Sequence, residues 1–185
     1  MIILASASPR RAELLRNAGI EFVVRAARID EVRGEGEGAE AYVRRLAEEK
    51  ARAVKAAPGQ VILAADTTVR LGARILEKPA NPEEALEMLT ALSGQTHEVL
   101  TGICLRRDAE VIVDCETTRV HFRPVPQEWL KAYAYSGEPM DKAGAYAIQG
   151  KASRFIDRIE GCYFNVVGLP VSLVFRHVCA LQIEL

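Results

Sequence analysis

Hydrophobic residues recur along the chain at two spacings, and together they predict strands that alternate with helices. Short apolar runs at residues 2–4 and 22–24 predict two strands, with a helix over residues 9–18 between them. Residues 39–57 carry apolar side chains at helical spacing and predict a long amphipathic helix. The continuous apolar run at residues 61–65 is typical of a central strand that is covered on both faces.

The alternation continues to residue 135 and is then lost. Residues 69–76 predict a short hairpin. Asn81-Pro82-Glu83-Glu84 predicts the start of a helix, because it supplies an N-cap, a proline at the first helical position and two acids beside the positive end of the helix dipole. The other predicted elements are a long antiparallel hairpin with strands at residues 99–105 and 111–120, and helices at residues 128–135 and 170–181. The glycine-rich stretch 136–168 predicts irregular structure.

These elements predict the α/β class, with one domain and a mixed sheet over residues 1–185. The chain has 185 residues, of which 49% are hydrophobic, so it can bury one substantial core. Its 24 Lys and Arg residues nearly balance its 25 Asp and Glu residues, a net charge of −1. Because no overall field draws the chain onto nucleic acid or an anionic membrane, we expect neither as a partner. A site for an anion must be built locally.

The cysteines and the chain ends favour a cytoplasmic location. The four cysteines are widely spaced and form no C-x-x-C pair, which predicts reduced, structural thiols rather than disulfides or a zinc site. The first residues lack the basic leader and the apolar length of a signal peptide. Arg176 and His177 interrupt the apolar stretch near the C-terminus, which is therefore not expected to span a bilayer.

The sharpest local pattern is Ser6-Ala7-Ser8-Pro9-Arg10-Arg11, at the start of the first predicted helix. Ser8 is placed to cap this helix and Pro9 to occupy its first position, so Arg10 and Arg11 lie in the first turn. There each cation opposes the helix dipole at a cost of about 0.3–1 kcal/mol, and a bound anion removes that conflict. Free N–H groups, hydroxyls and guanidinium groups predict a phosphate site. The alternative is two solvated arginines on a surface helix.

Two carboxylates are candidate ligands of a divalent cation. Asp66 directly follows the apolar run 61–65, which places it at the expected end of a central strand, where ligands of open sheets collect. An aspartate that caps the strand end explains this pattern equally well. Glu31 lies in the loop after the second strand, and Mg²⁺ is usually held by one or two carboxylates together with phosphate oxygens. Asp66 and Glu31 are therefore predicted to share a metal.

Two lysines and one amide are candidates for substrate binding. Lys50 lies on the apolar side of its predicted helix, and Lys78 follows a predicted strand, so each can place a compact positive charge beside phosphate. The alternative for Lys50 is an amine that extends to solvent. Gly144 and Gly150 flank Gln149, whose amide can face a base.

Other polar residues are assigned no chemistry. His97 has no metal-ligand spacing to another histidine and is expected to be packed or hydrogen-bonded. Glu35 and Glu37 are interpreted as solvated charges of the loop that contains Glu31.

Eight segments, in order along nearly the whole chain, resemble the Maf family of nucleotide pyrophosphatases. They are Ser6-Ala7-Ser8-Pro9-Arg10-Arg11, Asp30-Glu31, Glu49-Lys50-Ala51, Ala65-Asp66-Thr67, Glu77-Lys78-Pro79, Ser93-Gly94-Gln95-Thr96-His97-Glu98-Val99, the segment from Asp141 to Gly150, and Asn165-Val166-Val167-Gly168-Leu169-Pro170. Their joint occurrence is far more specific than any one of them. The resemblance implies an elongated fold like that of Maf and inosine triphosphate pyrophosphatases. This fold has a curved mixed sheet, helices on both sides and a cleft between two lobes, and a homodimer is implied.

The resemblance also implies roles for individual residues. Asp66 resembles the family's proton acceptor, and the groups that resemble its phosphate- and metal-handling residues are Ser8, Arg10, Arg11, Glu31, Lys50 and Lys78. Arg11, Thr67 and Gln149 fall at positions that separate branches of the family and resemble the branch that acts on dTTP and UTP. The Gln149 amide can pair with O4 and N3–H of uracil or thymine, although a flipped amide suits cytosine equally well. Cys162 is a departure, because the family often has serine there.

The implied function is hydrolysis of dTTP, UTP or a modified pyrimidine triphosphate to the nucleoside monophosphate and pyrophosphate, with Mg²⁺ or Mn²⁺ as cofactor. Water would attack the α-phosphorus, activated by Asp66 directly or through the metal. Three alternatives stay open: a phosphatase that releases orthophosphate, a non-catalytic nucleotide-binding regulator of septum formation, and a nucleic-acid-binding protein. The near-zero net charge counts against the third.

Overall fold

The computed structural model describes residues 1–182, which form seven β-strands and six α-helices. The strands are β1 (Ile2–Leu4), β2 (Phe22–Val24), β3 (Val61–Leu71), β4 (Arg74–Leu76), β5 (Thr96–Arg107), β6 (Glu110–Phe122) and β7 (Ile156–Glu160). The α-helices are α1 (Pro9–Asn17), α2 (Ala39–Ala53), α3 (Pro82–Leu92), α4 (Gln127–Ala134), α5 (Tyr163–Val167) and α6 (Val171–Ala180). Short 3-10 helices at Glu138–Asp141, Ala143–Ala145 and Lys151–Phe155 lie between α4 and β7. Within residues 1–182, each helix is too short or too polar to span a bilayer.

All seven strands belong to one mixed sheet with the order β2-β1-β3-β5-β6-β7, in which β4 also pairs with β3. β1 pairs in parallel with both β2 and β3, so that Ile3 lies opposite Val23 and Ile62. The pairs β3–β4 and β6–β7 are antiparallel. Every residue of β1 is buried, as expected for a parallel strand covered on both faces. The α/β class and the mixed sheet predicted from the sequence are confirmed.

The chain forms two compact units, and the long strands β3, β5 and β6 contribute residues to both. The first unit comprises Met1–Thr67, Thr101–Glu116 and the segment that begins at Gly168. The second comprises Thr68–Leu100 and Thr117–Val167. One domain over residues 1–185 stays a prediction.

In the first unit, α2 packs directly on the sheet. Ala47 and Ala51 of α2 are fully buried with Ile3 of β1 and Ile62 of β3. Gly102 of β5 permits the close approach of α2, because a Cβ atom there would lie 2.3 Å from the carbonyl oxygen of Val43. Small residues at this contact therefore place α2, which carries Lys50, against the strands.

The core of the second unit is rich in aromatic rings. His97, Phe122 and Tyr146 contact each other edge to face, with ring centroids 4.9–5.4 Å apart. His97 is buried and its Nε2 is 2.8 Å from the Tyr146 hydroxyl, so the packed and hydrogen-bonded role predicted for it is confirmed. Burial, and secondarily the charge of His121, lowers the pKa of His97 to about 4.

Several predicted boundaries are wrong. β3 does not end at residue 65 but continues to Leu71, because it gains β4 as a partner beyond its pairing with β1. α2 ends at Ala53 rather than residue 57, because Val54 turns into an extended conformation and is buried in the core of the first unit. The stretch predicted to be irregular contains β7 and α5, and β7 is formed by pairing with β6.

Candidate active site

Asp66 lies inside a strand, not at its end. It is the sixth residue of β3, past Leu63, which is the last residue paired with β1, and before residues 69–71, which pair with β4. The predicted position at a strand end, and the strand-cap alternative, are therefore both wrong. The Asp66 side chain is only 10% exposed, so its charge must be met by nearby polar groups.

Lys50 joins the two carboxylates that were predicted to meet. Its Nζ atom is 2.5 Å from Oδ1 of Asp66 and 2.6 Å from Oε1 of Glu31. The Lys50 side chain is 10% exposed, so the alternative in which its amine extends to solvent is wrong. The sequence places Lys50 on the buried face of α2, and the packing of α2 on the sheet brings its ammonium group to β3. Asp66 and Glu31 therefore lie within reach of one small cation.

Arg11 is committed to hydrogen bonds within the first unit. Its Nε donates to the carbonyl oxygen of Gly168 at 2.7 Å, and Nη1 donates to that of Ala65 at 2.8 Å and to Oγ of Ser6 at 3.2 Å. Nη2 donates to Oγ1 of Thr67 at 3.0 Å. The alternative of a solvated surface arginine is therefore wrong for Arg11. The guanidinium group therefore links α1 to the loop after β1, to β3 on both sides of Asp66 and to Gly168.

The electrostatic surroundings of Arg11 include the other candidate charges. Burial lowers the pKa of the Arg11 guanidinium; Asp66 and Glu31 raise this pKa, and Arg10 lowers it further. The charges of Asp66, Glu31 and Arg10 therefore all act on the Arg11 guanidinium. Arg10 is half-buried in the first turn of α1, and that turn contains no acid. The positive charge predicted at this helix start is present.

Ser8 occupies the predicted N-cap position of α1 but does not cap it with its side chain, as far as the described residues show. Its backbone N–H donates to Oγ of Ser6 at 3.2 Å, and its carbonyl accepts from the N–H of Ala12 at 3.4 Å. The predicted capping bond is therefore wrong, because the turn before α1 is organised by Ser6.

The loop that carries Glu31 is held by α2. Arg45 makes a bidentate pair with Glu37, with both N–O distances 2.7 Å, and also donates to the carbonyl of Val32 at 3.0 Å. The Tyr42 hydroxyl donates to the carbonyl of Glu31 at 3.3 Å. The hydrogen bonds from Arg45 lower the pKa of Glu37 to about 2. Glu37 is therefore not the solvated charge that was predicted, and sequence reasoning missed both Arg45 and Tyr42.

Lys78 and Gln149 belong to the second unit. Lys78 follows β4, and the carbonyl of the preceding Glu77 accepts a hydrogen bond from the N–H of Gly144 at 3.2 Å. Gln149 is exposed in a turn that is closed by a 3.0 Å hydrogen bond from the N–H of Gly150 to the carbonyl of Ala147.

The donor atoms around Lys50 suit a hard divalent cation. An Asp and a Glu supply carboxylate oxygens, which are the ligands that Mg²⁺ and Mn²⁺ prefer. Residues 1–182 contain no group of three or more His, Cys, Asp or Glu side chains that could hold a metal by themselves. Phosphate oxygens and water would therefore have to complete the coordination of a metal at this place.

The model of the Maf family, described as Maf-like protein, matches residues 1–181. The chain belongs to the Maf family.

Curated relatives of this Maf chain match along nearly their whole length. A protein of Koribacter versatilis is 52% identical over 176 residues, 95% of this chain and 91% of the relative. One of Myxococcus xanthus is 55% identical over 175 residues, 93% and 88% of the two chains, and one of Exiguobacterium sibiricum is 49% identical over 183 residues, 99% and 93%. Each of the three is named dTTP/UTP pyrophosphatase.

The fold of this Maf chain is also found in a solved structure. The Ham1 protein of Staphylococcus aureus matches with a TM-score of 0.51 and 13% sequence identity, over 97% of this chain and 98% of that chain. At this identity the likeness concerns the fold alone.

The departure of this Maf chain at Cys162 is small in structural terms. The backbone of Cys162 makes two hydrogen bonds with Oγ1 of Thr118, at 3.0 Å in each direction. Nearby Gly161 is required, because its φ is 125° and a Cβ atom would lie 2.9 Å from that same oxygen. The contact with Thr118 is therefore made by the backbone of residue 162 and needs no side-chain hydroxyl there.

Proposed function

We propose that this Maf protein hydrolyses dTTP and UTP to the nucleoside monophosphate and pyrophosphate. The contact of Lys50 with both Asp66 and Glu31, beside Arg11 and the start of α1, carries this proposal. Such a group of charges suits the attack of water on a phosphate chain, since it offers a base and cations for the leaving group. The names of the relatives, each about half identical over nearly the whole chain, support the same reaction.

In the proposed mechanism, Oδ2 of Asp66 accepts a proton from the water that attacks the α-phosphorus. The bond from the α-phosphorus to the bridging oxygen breaks, and pyrophosphate leaves with the electron pair. Arg10, Lys50 and Lys78 stabilise the negative charge on the leaving group. The Ser8 hydroxyl donates a hydrogen bond to a phosphate oxygen. Arg11 holds Ala65 and Thr67, which flank Asp66, so its main part is to position the base.

We propose Mg²⁺ or Mn²⁺ as cofactor, held by Asp66 and Glu31. When bound, the metal supplies positive charge for the phosphate oxygens. Replacement Glu31→Gln should raise the metal concentration for half-maximal activity about tenfold, because one of two carboxylates is lost. Glu35→Gln, in an exposed position of the same loop, is the matched control. Equal metal dependence in the two variants would exclude Glu31 as a ligand.

Product analysis tests the reaction. A panel of nucleoside triphosphates is assayed with and without added metal, and pyrophosphate and orthophosphate are quantified separately. Release of pyrophosphate from dTTP and UTP supports the proposal, whereas orthophosphate indicates a phosphatase. Tight nucleotide binding without hydrolysis indicates a regulator, such as one of septum formation.

The variant Asp66→Asn tests the proton acceptor. It should nearly abolish turnover and leave triphosphate binding within a few-fold, because the amide keeps the shape of the carboxylate but is a poor base. The matched control is Asp157→Asn, an exposed strand residue of the second unit that pairs with Arg123. Turnover of Asp66→Asn at the level of this control would remove Asp66 from the mechanism.

The remaining features are proposed on the same basis. Gln149 binds the pyrimidine base, and Thr67 and Arg11 are the other two residues that resemble the dTTP/UTP branch. The protein forms a homodimer, which light scattering tests. A cytoplasmic location fits a nucleotide substrate and the four free thiols.

A further inference from the structure

The turn that presents Gln149 is held at both of its ends. The turn runs from Ala147 to Gly150 with Gln149 exposed near its tip. On one side, the backbone N–H of Ala147 donates to the hydroxyl of Tyr133 at 3.1 Å. On the other side, the backbone N–H of Lys151 donates to Oε1 of Glu138 at 3.0 Å.

The two groups that hold the turn, the Tyr133 hydroxyl and the Glu138 carboxylate, are the anchors of the turn, and they are hydrogen-bonded to each other. The Tyr133 hydroxyl donates to the same Oε1 atom of Glu138 at 2.9 Å, so one tyrosine and one carboxylate oxygen link both flanks of the turn. Tyr133 is 1% exposed and its ring packs edge to face on Phe155, which fixes the position of the hydroxyl. The anchors therefore come from a rigid part of the second unit.

Gly150 makes this arrangement possible. A Cβ atom at this position would lie 2.0 Å from Oε1 of Glu138, the oxygen that accepts both hydrogen bonds. A methyl group there must displace the carboxylate and break its bonds to the turn. The backbone φ of Gly150 is −100°, which any residue adopts, so the requirement for glycine is this close approach.

We propose that Tyr133 and Glu138 are positioning residues for base recognition: they fix the Ala147–Gly150 turn so that the Gln149 amide meets the pyrimidine edge. This inference rests on the proposed function and adds two residues of the second unit to it. Neither residue touches the nucleotide. Their effect is to remove the freedom of the turn, which a bound base would otherwise have to restrict.

Two inhibitors of UTP hydrolysis separate base contacts from phosphate contacts. UMP carries the base, whereas inorganic tripolyphosphate lacks it. Tyr133→Phe, which removes only the hydroxyl, should raise the inhibition constant of UMP about fivefold, the effect of losing the one hydrogen bond that this hydroxyl makes directly to the turn. The constant of tripolyphosphate should stay within about twofold of the wild type, because no phosphate contact changes. Gln149→Ala should raise the UMP constant at least as much.

Further variants check that the carboxylate oxygen carries the effect. Glu138→Gln keeps an oxygen acceptor and should retain wild-type UMP inhibition, whereas Glu138→Ala should not. Gly150→Ala should match Glu138→Ala, and the double variant should add nothing, because both changes remove the same two bonds. Tyr135→Phe is the matched control, since the hydroxyl of Tyr135 bonds the surface residue Glu83 at 2.8 Å and not the turn.

Two kinds of result would overturn the inference while leaving the proposed function intact. In the first, UMP inhibition is unchanged in Tyr133→Phe and Gly150→Ala, or in Gln149→Ala. In the second, both inhibitors weaken equally, which indicates general structural damage. A wild-type protein that releases no pyrophosphate from UTP or dTTP would instead overturn the proposed function and this inference with it.

Discussion

Replacement of Arg11 by lysine tests how far the first unit depends on one guanidinium group. Arg11 donates to oxygens on separate sides: Gly168 at 2.7 Å, and Ala65 and Thr67 of β3 at 2.8 and 3.0 Å. A lysine ammonium has three donors on a single atom and cannot span these oxygens as a planar guanidinium does. Arg11→Lys should therefore leave at least two of these acceptors without their donor.

The expected loss of stability follows from these bonds. A hydrogen bond to a charged group contributes about 1.5–3 kcal/mol, so two lost bonds cost about 3–4 kcal/mol when some rearrangement is allowed. That is a large part of the roughly 5–15 kcal/mol that stabilises a typical protein. For a chain of this length it corresponds to a fall in Tm of about 10 °C.

The assay compares Arg11→Lys with Arg10→Lys, its neighbour in the first turn of α1, by urea unfolding and thermal melting. Arg10→Lys preserves the charge and should change stability by less than about 0.5 kcal/mol. Equal urea midpoints for the two variants would refute the structural role of Arg11. If Arg11 mainly gripped the triphosphate, stability would be unchanged while KM rose.

Three further predictions concern stability. Gly102→Ala should cost at least about 2 kcal/mol, because a methyl group meets the backbone of α2; Gly38→Ala, which meets open space, is the thermal-melt control. The pKa of His97 is about 4 in the folded protein and about 6.5 in the unfolded chain, so the unfolded chain binds a proton more readily between these pH values. The contribution of His97 to the free energy of unfolding is therefore complete above pH 6.5 and is smaller by about 2 kcal/mol at pH 5. Urea unfolding at pH 7 and 5 should show a smaller loss in His97→Gln, and an equal loss would contradict this. Because Arg45 lowers the pKa of Glu37 to about 2, stability from Glu37 is complete above pH 4.5 and is lost as pH falls toward 2. The destabilisation by Glu37→Gln should therefore shrink between pH 7 and pH 3 in thermal melts, and a constant difference would speak against the pair.

Elements with local signals were predicted closely. The bounds of β1 and β2 match, and α3 begins where expected, at Pro82. The Asn81 side chain accepts a 2.8 Å hydrogen bond from the backbone N–H of Glu84, as its N-cap position predicts. These signals act within a few residues, so the sequence displays them directly.

Elements that depend on distant partners were missed or cut short. β7 contains three charged residues and has no strong apolar alternation, yet it forms because β6 offers backbone groups for pairing. Pairing between β6 and β7 joins chain segments that no short window contains. The β3–β4 hairpin predicted at residues 69–76 is local and is confirmed, but its first strand is the end of the long strand β3 rather than a separate element.

For the candidate site, the sequence by itself determined the types of side chain and their order: two carboxylates, the arginines at the start of α1, Lys50 and the turn with Gln149. Only the tertiary structure decided their partners. Lys50 reaches Asp66 because α2 packs on the sheet, and Arg11 reaches Gly168, 157 residues away, because the chain returns beside α1. Whether a side-chain donor binds a ligand or stabilises the protein depends on which oxygens lie within about 3 Å of it. Long-range packing sets those distances.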